Sequence, residues 1–391
     1  MPAMFSARTR FDLRPNRLAE RLAARRAQGA PLIDLTLSNP TRAGLADAPE
    51  LLLPLTRDEA RRYDPSPFGL EAARAAVARD FARRGTPVDS ERVLLHASTS
   101  EAYAFLFKLL CDPGDQVLVP RPGYPLFEFL AELESVELRS YPLAHDGEWH
   151  LDPAALEAAI TPRTRAVVVV SPGNPTGAFL KRSELEALDA LCAARELALV
   201  SDEVFADFAF REDARRAPSA ARDGRALAFA LGGLSKSCGL PQLKLAWTAV
   251  SGPPSLRAAA LARLEVVADT YLSVATPVQV AAPSLLERRD ELQAPIKARV
   301  AANLEALRAS LRSGSPATLY EPEGGWSAVL RVPATSTEEE RALRLLETHD
   351  VLVHPGYFFD FPTEAFLVVS LLTPPAEFQE GVERMLRDAV L

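Results

Sequence analysis

The stretch Ala166-Val-Val-Val-Val170 is an unbroken apolar run, and Ser171-Pro-Gly-Asn-Pro-Thr-Gly177 follows it directly. Residues 183–195 are then predicted to form a helix. An apolar run that leads through a turn into a helix is typical of a strand buried on both faces of a parallel sheet. This strand–turn–helix unit is therefore the starting point for the fold.

The same alternation continues on both sides of this unit. Strands are predicted at 93–96, 116–120, 198–202, 226–231 and 246–250, with helices at 68–84, 100–110 and 124–133. The pattern predicts an α/β fold whose large, mostly parallel sheet is covered by helices on both faces. Ligands of such sheets bind at the carboxyl ends of the strands. Ser98, Tyr124, Asn174, Asp202 and Lys236 all fall at such ends.

The pattern changes after about residue 285. A long charged helix at 285–310 precedes short strands at 326–331 and 366–371, which indicates a smaller α+β domain. A further helix is predicted at 15–29, where Gly29 ends it. The predicted division is a large domain at 45–284, and a small domain at 285–391 together with an N-terminal arm at 1–44.

Composition excludes several classes of protein. The 391 residues carry a net charge of -8, which argues against a nucleic-acid surface. No apolar run approaches the roughly 20 residues of a membrane span, and the N-terminus has no apolar signal core. Three cysteines and five histidines lack the spacings of a disulfide framework or a metal site. A cytoplasmic protein without a metal is the expectation.

Lys236, within Gly233-Leu-Ser-Lys-Ser-Cys-Gly-Leu-Pro241, is an unusual residue in this chain. Only five of the 44 basic residues are lysines, so surface charge does not explain a lysine in an apolar, glycine-bounded stretch. A primary amine can lose its proton and attack a carbonyl, and a guanidinium cannot. The chemical interpretation is a Schiff base with pyridoxal phosphate. The alternative is a loop lysine whose charge reaches solvent.

Other residues match the further needs of that cofactor. Asp202 would hold the pyridine nitrogen, although a solvated acid or helix cap is the alternative. The hydroxyls of Ser98-Thr-Ser100 would bind the phosphate at a helix N-terminus, or simply cap that helix. Asn174 would donate to the 3′-oxygen, or belong to a plain turn. Tyr124 would stack on the ring, or be a core aromatic.

Asn174-Pro-Thr-Gly177, Asp202-Glu203 and Ser235-Lys236 with Gly239-Leu-Pro241 resemble the class I/II aminotransferases of pyridoxal-phosphate fold type I. The resemblance covers nearly the whole chain, and Tyr63-Asp-Pro-Ser-Pro-Phe-Gly69 resembles another segment of that family. It implies that Lys236 forms the Schiff base and shuttles the proton. It also implies a homodimer in which Tyr63 reaches the neighbouring subunit's cofactor. The remaining cofactor-binding residues implied are Ser98, Thr99, Ser100, Tyr124, Asn174, Asp202, Phe205, Ser235 and Lys244.

The sequence departs from the family pattern at three positions. Phe205 replaces the usual tyrosine and cannot donate to the 3′-oxygen. Lys244 replaces an arginine that grips the phosphate with two donors. Val368 replaces the arginine that pairs with the substrate carboxylate. The substitutes considered for that arginine are Arg42 and Arg121, and the predicted substrate-binding residues are Ser38 and Arg42.

The leading functional hypothesis is transfer of an amino group from an amino acid to a 2-oxo acid. A β-lyase or other elimination enzyme would need the same residues and is the main alternative. A tyrosine at position 124 counts against the acyl-CoA-dependent branch, which stacks a histidine there. Fewer than about 40 residues precede the sheet domain, too few for the DNA-binding module of a cofactor-binding regulator. An α/β protein with chance motifs is the remaining possibility.

Overall fold

The computed structural model describes residues 4–45, 49–311 and 315–390. Short 3₁₀ turns join several of its helices and strands. The helices are α1 (Arg17–Ala27), α2 (Glu71–Arg83), α3 (Thr99–Leu110), α4 (Phe127–Leu133), α5 (Pro153–Ala159), α6 (Arg182–Ala194), α7 (Leu234–Ser237), α8 (Pro254–Tyr271), α9 (Thr276–Glu287), α10 (Arg289–Leu311), α11 (Glu338–Thr348) and α12 (Pro375–Val390). The strands are β1 (Ile33–Asp34), β2 (Val93–His96), β3 (Gln116–Arg121), β4 (Glu137–His145), β5 (Trp149–Leu151), β6 (Thr164–Val170), β7 (Ala198–Asp202), β8 (Ala228–Gly233), β9 (Ala246–Ser251), β10 (Thr318–Tyr320), β11 (Ser327–Arg331), β12 (Val351–Leu352), β13 (His354–Pro355) and β14 (Phe366–Ser370).

An eight-stranded sheet forms the larger layer, in the order β2-β9-β8-β7-β6-β3-β4-β5. The five strands from β8 to β4 are mutually parallel, which confirms the predicted mostly parallel sheet. β9 is antiparallel to both β2 and β8, and β5 is antiparallel to β4. Because β2 and β8 are each antiparallel to β9, they run in the same direction. The carboxyl ends of β2, β8, β7, β6 and β3 therefore share one edge of the sheet.

Successive residues of the central strands pack on opposite faces, as a pleated strand requires. Val117 and Val119 of β3 contact the apolar core beneath α3, α4 and α8. Leu118, between them, contacts the core beneath α5 and α6. Val167 and Val168 of β6 divide in the same way. An all-apolar run is therefore satisfied on both faces, and the sheet is held rigidly beneath the edge where its strands end.

A second group of elements surrounds a four-stranded antiparallel sheet in the order β10-β11-β14-β13. β1 pairs with β12, so the N-terminal segment packs with the C-terminal third of the chain. The backbone N–H of Ser370 donates to the carbonyl of Leu35 across this junction. The grouping of residues 1–44 with 285–391, and the boundaries at 45 and 284, stay predictions.

The predicted charged helix at 285–310 is wrong as a single element. The helix breaks at Arg288, whose ψ of 8° is not helical, and α9 and α10 lie on either side. The break places Arg289 in a buried ion pair with Asp80 of α2. A sequence pattern cannot anticipate that partner, which lies about 200 residues away. None of the helices in the described ranges is long and apolar enough to cross a membrane.

Candidate active site

The site lies along the sheet edge where the parallel strands end. Ser98 follows β2, Tyr124 follows β3 and Asn174 follows β6, while Asp202 is the last residue of β7. Lys236 follows β8, within the short helix α7. The ends of four adjacent strands (β8, β7, β6 and β3), and of β2 beyond β9, therefore place the predicted residues at one edge, as expected for a ligand site in this kind of sheet.

The backbone around Lys236 is fixed on both sides. A Cβ at Gly232 would lie 2.5 Å from Nε1 of Trp247, so only glycine allows β8 to approach that indole. After the lysine, the carbonyl of Ser237 accepts a hydrogen bond of 2.8 Å from the Gln293 side chain. The backbone is therefore held by packing both before Lys236, at the end of β8, and directly after it, at Ser237.

The Lys236 amine lies against aromatic rings. Its Nζ is 4.8 Å from the centre of the Trp326 ring and 5.3 Å from that of Phe205. Burial lowers the pKa of Lys236 to about 8, and the charge of Asp202 opposes this effect in part. Roughly a tenth of such an amine is neutral at pH 7, compared with well under a thousandth of an ordinary lysine. The amine is therefore suited to attack on a carbonyl and to proton transfer.

Asp202 is a buried carboxylate with a defined set of partners. The hydroxyl of Tyr103 donates to its Oδ2 at 3.1 Å, and the N–H of Val204 donates to its Oδ1 at 3.2 Å. Burial raises the pKa of Asp202 to about 6, and these two donors limit the rise. At pH 7 the group is mostly ionised, as a carboxylate that faces a protonated ring nitrogen must be.

Tyr103 is a site residue that sequence reasoning missed. It lies in the middle of α3, is 1% exposed, and reaches Asp202 across a separation of 99 residues. The available signal is its hydroxyl on an otherwise apolar helix face, because a buried tyrosine needs a hydrogen-bond partner. That signal predicts a partner without identifying it.

A backbone hydrogen bond ties the loop that carries Asn174 to the end of β7. The N–H of Ser171 donates to the carbonyl of Asp202 at 2.9 Å, and the N–H of Gly177 closes the turn on Gly173 at 2.8 Å. Asn174 itself is half-buried. Its side-chain amide forms no hydrogen bond within residues 4–45, 49–311 and 315–390. The amide therefore remains available to a ligand oxygen.

Tyr124 is half-buried and joins the same group of side chains. Its ring meets the edge of Phe127 at 5.6 Å, and Phe127 meets the edge of Tyr103 at 5.3 Å. Burial raises the pKa of Tyr124, and the charge of Asp202 adds to the rise. The tyrosine predicted to stack on the ring thus lies within the electrostatic range of the buried carboxylate.

The predicted phosphate ligands differ in their present contacts. The Ser98 hydroxyl accepts from the N–H of Glu101 at 3.1 Å and caps α3, which is the structural use weighed for it from sequence. The side chains of Thr99, Ser100 and Ser235 are half-buried. They have no hydrogen-bond partner in the described part of the chain. Lys244 is exposed and has a left-handed backbone with φ of 53°.

The predicted substrate-binding residues lie at the surface. Ser38 and Arg42 are exposed and line a cavity of about 320 Å³, to which His354 of β13 also contributes. Arg121 is engaged elsewhere, because its Nε donates to the carbonyl of Asp360 at 2.6 Å. Tyr63 is 75% exposed and touches none of the residues above within this single chain as described.

Val368 is enclosed in an apolar cluster. It is 2% exposed and lies opposite His354 in the register of β13 and β14. Trp149, Phe361 and Phe366 belong to the same cluster. This buried, apolar side chain offers no charge to a substrate carboxylate, so Val368 does not take over the role of the family's arginine.

Comparison with known proteins identifies the family. The family model for aminotransferase class I and II matches residues 35–385. The chain belongs to this family. It is 30% identical to the aspartate/prephenate aminotransferase of Thermus thermophilus, covering 93% of this chain and 92% of that protein.

Two further comparisons agree with this assignment. The alanine aminotransferase of Mycobacterium tuberculosis is 27% identical over 92% of this chain and 86% of that protein. An aminotransferase structure from Escherichia coli superposes with a TM-score of 0.88 at 23% identity, covering 100% of this chain and 99% of that one. The fold is therefore that of pyridoxal-phosphate fold type I, as predicted. The protein is an aminotransferase, and these names give the elimination alternative no support.

Enzymes of this family depend on pyridoxal phosphate, which supplies an aldehyde and an electron-withdrawing ring. The donor set at the sheet edge fits that group. An amine with a lowered pKa and a buried, ionised carboxylate lie together, and the half-buried Asn174 amide has no other partner among the described residues. The substrates of the class are an amino acid and a 2-oxo acid.

Proposed function

We propose that this aminotransferase uses Lys236 both to hold pyridoxal phosphate and to move the proton of the amino substrate. The observation that carries the proposal is the position of the Lys236 Nζ. It lies against the rings of both Phe205 and Trp326 and in the field of the buried Asp202. An amine kept partly neutral at pH 7 is the group that such chemistry needs.

Each neighbouring side chain is proposed in one role. Asp202 pairs with the pyridine nitrogen, Asn174 donates to the 3′-oxygen and Tyr124 stacks on the ring. Phe205 packs beside the ring without a donor. The phosphate ligands proposed are Ser98, Thr99, Ser100, Ser235 and Lys244, together with the free N–H groups at the start of α3.

The proton transfer uses the same amine. When an amino substrate occupies the site, the neutral Nζ of Lys236 takes the proton from the substrate Cα. Tyr103 and Val204 hold Asp202 in place and ionised while this occurs. The apolar rings around Nζ exclude water, which protects the transferred proton from exchange.

Arg42 is proposed to bind the substrate carboxylate, with Ser38 beside it. Val368 carries no charge, and Arg121 is already paired with Asp360. Arg42 has no ion pair within the described residues, and its cavity includes His354, the residue opposite Val368. A guanidinium there would offer two parallel donors to a carboxylate.

A homodimer is proposed from the surface around Tyr63. This residue lines a surface pocket with Leu272 and Phe105, and Phe105 contacts Tyr271. Tyr63, Tyr271 and Leu272 are 75%, 51% and 37% exposed. A contiguous exposed apolar patch of this kind marks an interface between proteins. Cytosolic residence is retained as a prediction, in keeping with three free cysteines.

The function is tested with purified holoprotein and single amino donors. Alanine, glutamate, aspartate, aromatic and branched amino acids are added in turn while the cofactor absorbance is followed. Conversion to the pyridoxamine form, reversed by a 2-oxo acid, is expected for one donor class. Lys236→Ala should abolish the conversion, whereas Lys297→Ala, at an exposed lysine, should not. Release of ammonia and pyruvate without conversion would instead identify a lyase.

The shared site is tested by mixing two defective subunits. Tyr63→Ala and Lys236→Ala chains are co-expressed with different tags, and the mixed dimer is isolated. If Tyr63 serves the neighbouring subunit, one of the two sites in each isolated mixed dimer is native, and its activity should be about half that of the parent dimer. Activity equal to the average of the two parents would show that Tyr63 acts within its own chain.

A further inference from the structure

Trp326 contacts Lys236 from the side of the four-stranded sheet, whereas Lys236 follows a strand of the eight-stranded sheet. Trp326 lies immediately before β11, in the four-stranded sheet, yet its ring centre is 4.8 Å from the Nζ of Lys236. The indole also meets Phe205 at 5.2 Å and Phe208 at 5.0 Å, both nearly edge to face. Trp326 is 3% exposed. The residue that immediately precedes β11 is therefore part of the wall around the amine.

The segment before Trp326 is tied to the loop that follows Asp202. The N–H of Phe210 donates to the carbonyl of Glu323, and the N–H of Gly325 donates to the carbonyl of Phe208, at 2.9 and 2.8 Å. A Cβ at Gly324 would lie 2.4 Å from that same Phe208 carbonyl. These contacts fix the indole relative to the end of β7, so its position beside Lys236 is set by backbone and not by chance packing.

The indole N–H has no partner. Nε1 of Trp326 is buried and makes no hydrogen bond within the described ranges. Leaving a buried donor unpaired costs about 1–3 kcal/mol, a cost that a smaller phenylalanine ring would avoid. Nε1 of Trp149 and Nε1 of Trp247 are also buried and unpaired within the same ranges, but it is the Trp326 ring that the Lys236 amine contacts. Trp326 therefore carries an unused donor beside that amine.

We propose that Trp326 is a positioning residue for the reaction at Lys236: its ring shields the amine from water, and its indole N–H donates to an oxygen of the amino substrate. This inference rests on the proposed role of Lys236. It adds a determinant from the second sheet, and it identifies the ligand of the unpaired donor as a carboxylate-bearing amine. A carboxylate oxygen is the acceptor that such a substrate brings near its reacting carbon.

The proximity is tested in the apoprotein, without catalysis. An ammonium group over an indole quenches its emission, so the tryptophan fluorescence should titrate with a midpoint near the Lys236 pKa of about 8. Trp326→Phe should remove the titrating component. Trp149→Phe should retain it, although Trp149 also has a buried, unpaired Nε1. A titration that survives Trp326→Phe, or is absent from the parent protein, overturns the proposal.

The shielding is tested by the rate at which the apoprotein binds pyridoxal phosphate. In the parent and in Trp326→Phe, the rate should rise with pH through a midpoint near 8. Trp326→Ala admits water, and its midpoint should rise by about one unit, which lowers the rate at pH 7 about tenfold. An unchanged midpoint in a folded Trp326→Ala protein contradicts the inference alone. Failure of the parent to bind the cofactor at all would contradict the role of Lys236 itself.

The hydrogen bond is tested by steady-state kinetics of Trp326→Phe. Loss of a donor to a charged oxygen should raise the KM for the amino donor about tenfold or more and leave kcat little changed. The KM for the 2-oxo acid should rise in parallel, because its carboxylate occupies the same place. A KM equal to that of the parent would leave the indole N–H without this function.

Discussion

Replacement of Lys236 by methionine is expected to stabilise the apoprotein at neutral pH. The side chain of methionine has a similar length and suits a pocket walled by Phe205 and Trp326. The native amine is held there against its preference for water, which is why burial lowers its pKa from 10.5 to about 8. Each unit of pKa corresponds to 1.36 kcal/mol, so the charged amine destabilises the fold by about 3 kcal/mol.

The effect has a defined pH dependence. Below pH 8 the amine is charged in both states, and the full cost applies. Between pH 8 and 10.5 the unfolded chain binds more protons than the folded one, so the stability of the parent rises with pH. Above 10.5 both states are neutral and the cost disappears. Lys236→Met has no ammonium group, so its advantage should be about 2–3 kcal/mol at pH 7 and should shrink toward pH 10.5.

Urea unfolding of the two apoproteins at pH 7, 8.5 and 10, followed by far-ultraviolet circular dichroism, measures the difference. Lys297→Met is the matched control, because Lys297 is exposed. Its free energy of unfolding should follow that of the parent at every pH. A stabilisation by Lys236→Met that is equal at all three pH values would reflect packing alone and refute the electrostatic reasoning. So would the absence of any stabilisation at pH 7.

Three further outcomes are expected. Tyr103→Phe removes the 3.1 Å hydrogen bond to Asp202 and should raise the pKa of that carboxylate above about 6. The pH at which the apoprotein loses affinity for pyridoxal phosphate should therefore move up by about one unit. Tyr141→Phe, at a tyrosine bonded to the Val168 carbonyl, should leave that pH unchanged. Phe205→Tyr supplies a donor to the 3′-oxygen and should lower the pH at which the cofactor absorbance titrates. An identical titration curve would show that the hydroxyl missing from Phe205 does not affect this titration. Arg42→Ala should raise the KM for the amino donor by at least tenfold, measured beside Arg121→Ala as the comparison, and an unchanged KM would remove Arg42 from the site.

The sequence predicts the sheet because its signal is local. Val167 to Val170 form an unbroken apolar run that leads through a turn into a helix, which is typical of a strand covered on both faces of a sheet. The direction of β9 has no such signal. Its residues read the same whether the strand runs parallel or antiparallel, and only pairing with β2 and β8 decides. The break at Arg288 likewise depends on a buried partner, Asp80, that is distant in sequence.

The site divides in a similar way. Lys236, Asp202 and Asn174 each lie in a motif that can be read in a few residues. Tyr103 and Trp326 do not, because each contributes through one long-range contact of a residue type common in cores. Their buried polar atoms are the only sequence-level clue, and that clue names no partner. Residues that support a reacting group are thus harder to predict than the reacting group itself.

The scarcity of lysine has a practical consequence for labelling this protein. Two of the five amines are engaged in ion pairs, Lys108 with Glu134 and Lys181 with Glu323, and Lys181 is also buried. Lys244 and Lys297 are exposed. Guanidinium groups, which supply nearly all the remaining positive charge, do not react with aldehydes or active esters. An amine-directed reagent therefore meets a small set of targets, and occupancy of the active site can be read as protection of Lys236 relative to the exposed Lys244.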